Sequence, residues 1–319
     1  MFNKLAKHLS AKDIASFRYS EWMTLGVACG VAFVLWYAVG RIVGLPGAGG
    51  HATLLLRDAP GAGIFVVAIA WPVIALVATL LAGTVRGDAG GFAASIGLLY
   101  LPAHGGDARD ALLAANGTPS VYLTMAVEVL LLGAIAVLIV EGISRFLRRS
   151  TSTQTARGVA PPPPHSAAHE YLADHPEPDT LADRLTAVFG QALATLIFTM
   201  FLVQTPLKGQ AIVGAGVAAM LAAMLSHYLY GVRGAAPYVA GTIIAAVAGY
   251  LYNYYNPAAL AIGDAKGILA GPARVLPLHY ATLGVAGAIF GYWSSTVWKV
   301  QAKQKNEHSV PAERTSAAR

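Results

Sequence analysis

The stretch VYLTMAVEVLLLGAIAVLIVEGISRFLRR, from Val121 to Arg149, decides the fold. Up to Ile143 it is almost wholly apolar, and roughly 20 such residues are what a helix needs to cross the hydrocarbon of a bilayer. Thr118 and Pro119 precede it as a helix cap and a first helical residue. Arg145, Arg148 and Arg149 close it in the manner of a cytoplasmic anchor.

Glu128 lies about two turns inside this segment, with Thr124 one turn back on the same helix face. A charge at mid-span costs on the order of 2.5–3.5 kcal/mol on insertion scales, so such a residue faces protein or water rather than lipid. Two readings follow. Glu128 is either a proton carrier on a polar path, or a hydrogen-bonded residue that fixes helix packing.

The whole chain agrees with this stretch. Its 319 residues are 56% hydrophobic and 12% charged, against roughly 25% charged in a soluble domain. The net charge of +6 is carried beside apolar spans and in tails, not along one basic stripe, which argues against a nucleic-acid partner. The one cysteine, Cys29, sits in an apolar span and leaves neither an intrachain disulfide nor a cysteine metal site. The 34 glycines suit close helix packing in lipid.

Outward from the deciding stretch, residues 1–20 read as an amphipathic interfacial helix, with Phe2, Leu5, Leu9, Ile14 and Phe17 among Lys4, Lys7, Lys12 and Arg18. The first membrane half, 21–149, holds three spans. The span Trp22 to Val39 carries Gly26 and Gly30 as a face for a neighbouring helix. The span Ala62 to Thr84 carries Pro72, which deprives the Ala68 carbonyl of its donor and predicts a kink. Between it and the third span, Gly90 to Pro102 is apolar but too short to cross, and reads as an interfacial or re-entrant element.

Residues 150–183, with Pro161 to Pro164, read as a mobile cytoplasmic linker. His165 and His169 are spaced for a metal only on a formed helix, which a proline-rich segment does not supply. The second half, 184–299, holds four spans: Leu185 to Val203, Ala211 to Leu229, Pro237 to Leu251 and Pro277 to Trp298. Pro257 to Arg274 is a second surface element, and 300–319 reads as a disordered tail.

Gln191, Thr195 and Thr199 recur every four residues and form one polar stripe, which either lines a path or bonds a neighbouring helix. Gly214, Ala218 and Ala222 face Gly241, Ala245 and Gly249 across the short connection Gly231 to Ala236, which predicts an antiparallel pair packed ridge to ridge. Tyr250, Tyr252, Tyr254 and Tyr255 read as an aromatic cluster at a membrane boundary. His227 and His279 fall toward opposite faces, which excludes a shared haem iron.

The basic residues after the last span place the linker and the C-terminus in the cytoplasm. Three spans before the linker then put the N-terminus outside, in conflict with its own basic residues. Both halves end with a span, a short apolar element, a polar loop and a final span, the order a distant duplication would leave.

The expected fold is an all-α polytopic membrane bundle of about seven helices in two halves, three and four. No Ser-His-Asp order, phosphate-binding glycine loop or HExxH stands out, so no enzyme chemistry is supported and neither cofactor nor metal is expected. The expected function is transport of a small solute, or a channel-like role, along a path of Glu128, Thr124, Gln191, Thr195 and Thr199 beside the Pro72 kink. The alternative is a non-catalytic scaffold or accessory subunit. The expected partners are the lipid bilayer and a second copy or a membrane-complex subunit.

Overall fold

In the computed structural model the described residues are 19–43, 53–55, 60–82, 88–105, 118–156, 179–205, 207–256 and 271–309. The segment 1–18 and the proline-rich residues 157–178, with His165 and His169, lie outside them. All the described elements are helices, which is what backbone groups without water to bond them require. They are α1 (Tyr19–Val43), α2 (Pro60–Ala82), α3 (Ala89–Leu98), α4 (Tyr100–His104), α5 (Ser120–Ala156), α6 (Leu181–Leu202), α7 (Lys208–Tyr230) and α8 (Ala236–Tyr255). A last rod follows, made of α9 (Pro277–His279), a π-helical turn (Tyr280–Gly284) and α10 (Val285–Ser309).

Five of these are long and apolar enough to cross a membrane: Glu21–Arg41, Ala62–Ala82, Ser120–Arg145, Leu181–Leu202 and Lys208–Tyr230. Their outer faces are greasy. Leu80, Leu138 and Phe201 are 78%, 72% and 73% exposed, an arrangement that suits lipid and would be an aggregation hazard in water. The spans expected at 237–251 and 277–298 form α8 and the last rod.

Two sequence boundaries move. α5 begins at Ser120, where the N–H groups of Val121 and Tyr122 donate to the carbonyls of Thr118 and Pro119, and continues past the arginines to Ala156. The first residues of the expected linker are therefore helical. α10 likewise runs to Ser309, well into the expected tail.

The helices pack as two groups that lean on each other. α1, α2 and α3 pack together, and α6 packs on both α7 and α8. The last long helix of the first half, α5, rests on α8, while α3 rests on α10. The predicted α7 and α8 ridge pair is corrected. Those two helices barely touch, and α7 packs instead on α10, where Gly287 approaches so closely that a Cβ on it would lie 2.1 Å from the Gly216 carbonyl. A short loop favours adjacency, but α6 lies between them and takes up both of their faces. Among the described residues nothing packs on the Gly26 and Gly30 face: none of their atoms stands within 4 Å of either added Cβ, and α1 packs through Leu25, Ala28, Ala32 and Trp36.

The segment read as interfacial or re-entrant is interior. Ala89, Gly90, Gly91, Ala93, Ala94, Ser95, Gly97 and Leu98 are buried among α1, α2 and the last rod. Its start is tied to one end of the bundle, where Trp293 Nε1 donates to Asp88 Oδ1 at 2.8 Å. Its end is tied to the other, where the Lys208 ammonium at the start of α7 donates to the carbonyls of Ala103, at 3.4 Å, and Gly105. Thus α3 and α4 together run from end to end, about 24 Å at 1.5 Å per residue. With this element counted, α1 starts, α5 finishes, α6 starts and α10 finishes at the same end of the bundle.

Local signals set the remaining turns. Thr180 and Asp183 form a reciprocal capping box at the start of α6. Gly231 ends α7 in the left-handed region at φ 69°, where its N–H bonds the His227 carbonyl at 2.9 Å.

Candidate functional site

Glu128 is fully buried on α5, and its Oε2 accepts the backbone N–H of Leu55 at 3.0 Å. On the same helix Tyr122, Met125 and Val129 pack against Ile243, Ala246 and Tyr250 of α8. Gly133 makes that approach possible, since a Cβ there would lie 2.5 Å from Ile243 Cγ2. The rings of Tyr122 and Tyr250 lie 6.4 Å apart. The Tyr250 hydroxyl donates to the Val275 carbonyl.

The polar stripe of α6 is buried too. Gln191 Nε2 reaches Thr195 Oγ1 at 3.2 Å, the Ala219 carbonyl of α7 at 3.3 Å and Thr242 Oγ1 of α8 at 3.1 Å. An amide nitrogen has two protons, so these three acceptors share them. Gly241 leaves the room, because a Cβ on it would stand 2.5 Å from both Gln191 Cβ and the Val188 carbonyl. Thr199 donates to the Thr195 carbonyl at 2.6 Å, the back-bond to the preceding turn that satisfies a hydroxyl within a helix.

Tyr280 lies in the π-helical turn, its ring 6.4 Å from that of Tyr250 at an interplanar angle of 86°. Its hydroxyl donates to the Pro272 carbonyl at 3.2 Å. We call the polar seam the buried set Glu128, Tyr250, Tyr280, Thr199, Thr195, Gln191 and Thr242, drawn from α5 of the first half and from α6, α8 and the last rod of the second. π-turns inside helices are frequent at functional sites.

The sequence pointed to four of these residues and passed over Tyr250, Tyr280 and Thr242. Tyr250 was grouped with a boundary cluster, yet it is buried while Tyr252 and Tyr255 are 58% and 74% exposed. Its position four and seven residues beyond Ala246 and Ile243 was the signal that it shares their inward face. Thr242 had a comparable signal beside Gly241. Tyr280 had none, since the π-turn shifts the register of its helix.

Thr124, an expected path residue, and Pro72, the expected kink, stand apart from the seam. Thr124 is only half-buried and turns its hydroxyl back to the Ser120 carbonyl at 3.3 Å. Pro72 is on the exposed face of α2, away from the interior, whereas its neighbour Trp71 is buried. Glu141 pairs with Arg145 on its own helix at 3.0 Å.

At the end of the bundle where α7 begins, buried Arg274 donates from Nη1 to the carbonyls of Val203, at 3.1 Å, and Gln204, so a cation stands at the negative end of α6. His279 Nδ1 there accepts the Leu276 N–H at 3.2 Å. His227 is at the opposite end, its ring 4.9 Å from that of Tyr292. Among the described residues no three His, Cys, Asp or Glu side chains gather as a metal would require.

The fold and seam define a class: a helical bundle with several helices of membrane-crossing length, whose interior holds the side chains of Glu128, Asp88 and Arg274 among several buried Thr and Tyr residues. Comparison with protein-family models, with curated proteins and with solved structures finds no match for the chain.

Proposed function

We propose that the protein is a polytopic membrane protein that moves a small solute along the seam at Glu128. The observation that carries this reading is convergence. Glu128 and the Gln191 stripe belong to different halves of the chain, yet they line one interior seam between those halves, with a π-turn at their junction. Interfaces between halves, near mid-membrane and beside irregular helix, are where secondary transporters place their sites. Thr124 drops out of the path, and Tyr250, Tyr280 and Thr242 enter it.

The topology that goes with this reading has eight traverses, four in each half, with α3 and α4 together making the third. A short, protein-covered traverse is tolerated where a lipid-exposed one is not. The N-terminus, the linker and the C-terminus then all face the cytoplasm, and the basic N-terminal residues no longer oppose the rule.

Purified protein in liposomes, assayed with a trapped pH-sensitive dye and with radiolabelled small polar solutes, tests the function. Flux that Glu128→Gln abolishes, with the variant still folded, is the expected result. Flux that is equal in both proteins excludes transport through this carboxyl group.

A second reading is favoured by the three-way contact of Gln191, which fastens α6 to α7 and α8. In a non-catalytic scaffold or accessory subunit the seam would serve only to hold the helices together. Purification in mild detergent separates the two, because a stable stoichiometric membrane partner supports the scaffold and a lone active protein supports transport.

A further inference from the structure

Between α1 and α2, Thr53 and Leu54 lie inside the bundle. Connecting segments ordinarily run over the surface, where water satisfies their backbone. Here Thr53 and Leu54 are each 1% exposed. Leu54 lies over Gly63 of α2, where an added Cβ would find Leu54 Cδ2 at 3.4 Å and Leu54 Cβ at 3.5 Å. The next residue, Leu55, gives its N–H to Glu128 Oε2 at 3.0 Å. A peptide N–H in an apolar interior is costly without an acceptor, and a carboxyl group inside a membrane helix is costly without a donor. Each removes the penalty of the other.

We propose that Thr53 to Leu55 is a plug, held in the bundle by Glu128, which closes the seam at the end where α2 and α5 begin. This rests on the reading of the seam as a path. Glu128 is then both the group a solute must reach and the latch of the segment that covers it. Whatever takes the plug's place at Oε2 must itself donate a hydrogen bond, as water, an ammonium group or an amide N–H does, because that position is now filled by a donor.

The test is chemical access to Thr53→Cys in full-length protein carrying Cys29→Ser, purified in mild detergent and treated with a bulky water-soluble maleimide. The parent should label slowly. Glu128→Ala, which removes the latch, should speed labelling at least tenfold, while a second reporter, Ala94→Cys, remains slow because Ala94 is buried in a different interface. Gly63→Val, which displaces Leu54 and leaves the carboxyl group intact, should do the same and covers the case in which Glu128→Ala does not fold. The proposal is overturned if neither variant changes Thr53→Cys labelling by more than twofold, or if labelling rises only in step with Ala94→Cys. Access is read without flux, so a protein that carries nothing in liposomes would end the transport reading and leave the held turn standing.

Discussion

Gln191 on α6 and Thr242 on α8 meet at 3.1 Å, and the same amide reaches the Ala219 carbonyl of α7 at 3.3 Å. One buried side chain thereby joins three helices, two of which have little other contact with each other. A double-mutant cycle between Gln191→Leu and Thr242→Val should return a coupling of about 0.6 kcal/mol, and at most about 1.7, as for other hydrogen bonds between membrane helices. Unfolding in detergent with increasing denaturant measures it. A coupling of zero would mean that the bond is geometric only.

The glycines divide sharply by what surrounds them. Gly287→Ala puts a methyl group where the Gly216 carbonyl stands, at 2.1 Å, and backbone on both sides cannot yield. It should cost more than about 2 kcal/mol by the overpacking range and lower the melting temperature. Gly26→Ala and Gly30→Ala meet nothing within 4 Å and should be neutral or stabilising by up to about 1 kcal/mol, the helix propensity difference. Retention of the monodisperse peak after heating distinguishes the variants, and equal behaviour would contradict the α7 and α10 packing.

Arg274 is 4% exposed and supplies donors to Val203 and Gln204 at the end of α6. Arg274→Gln shortens the donor, and Arg274→Ala removes it and leaves those carbonyls unbonded. The alanine variant should lose about 1–3 kcal/mol, with the glutamine variant between it and the parent. Loss of stability in the reverse order would show that the side chain acts through its bulk.

The end-to-end run of α3 and α4 carries a topological expectation. Tags at the N-terminus and C-terminus should be cleaved together by protease in inverted vesicles and protected together in intact cells. Opposite protection of the two tags would return the protein to seven traverses. Asp88→Asn keeps an acceptor for Trp293 and should leave the pattern unchanged.

Much of the bundle was legible because hydropathy and length report directly on lipid. The five long spans, the buried carboxyl group and the period-four stripe all follow from the residues themselves. The reading failed where a helix is sheltered by protein. Ala89 to Leu98 is short and rich in small residues, and its composition leaves it either interfacial or re-entrant, because nothing in it says that α1, α2 and the last rod enclose it. The ridge pairing failed for a related reason. Gly214 and Gly241 do mark close approaches, to Val203 and to Gln191, but a small residue does not name its partner.

Glu128 marks the division most clearly. The sequence alone determined that a carboxyl group sits within the apolar helix from Val121 to Ile143, and that it must find protein or water, because hydrocarbon offers no hydrogen bonds. Only the tertiary structure decided what it finds: the amide of Leu55, 73 residues away along the chain. Helix periodicity fixes which face a residue takes. Which element comes to lie against that face is set by the packing of all the helices together.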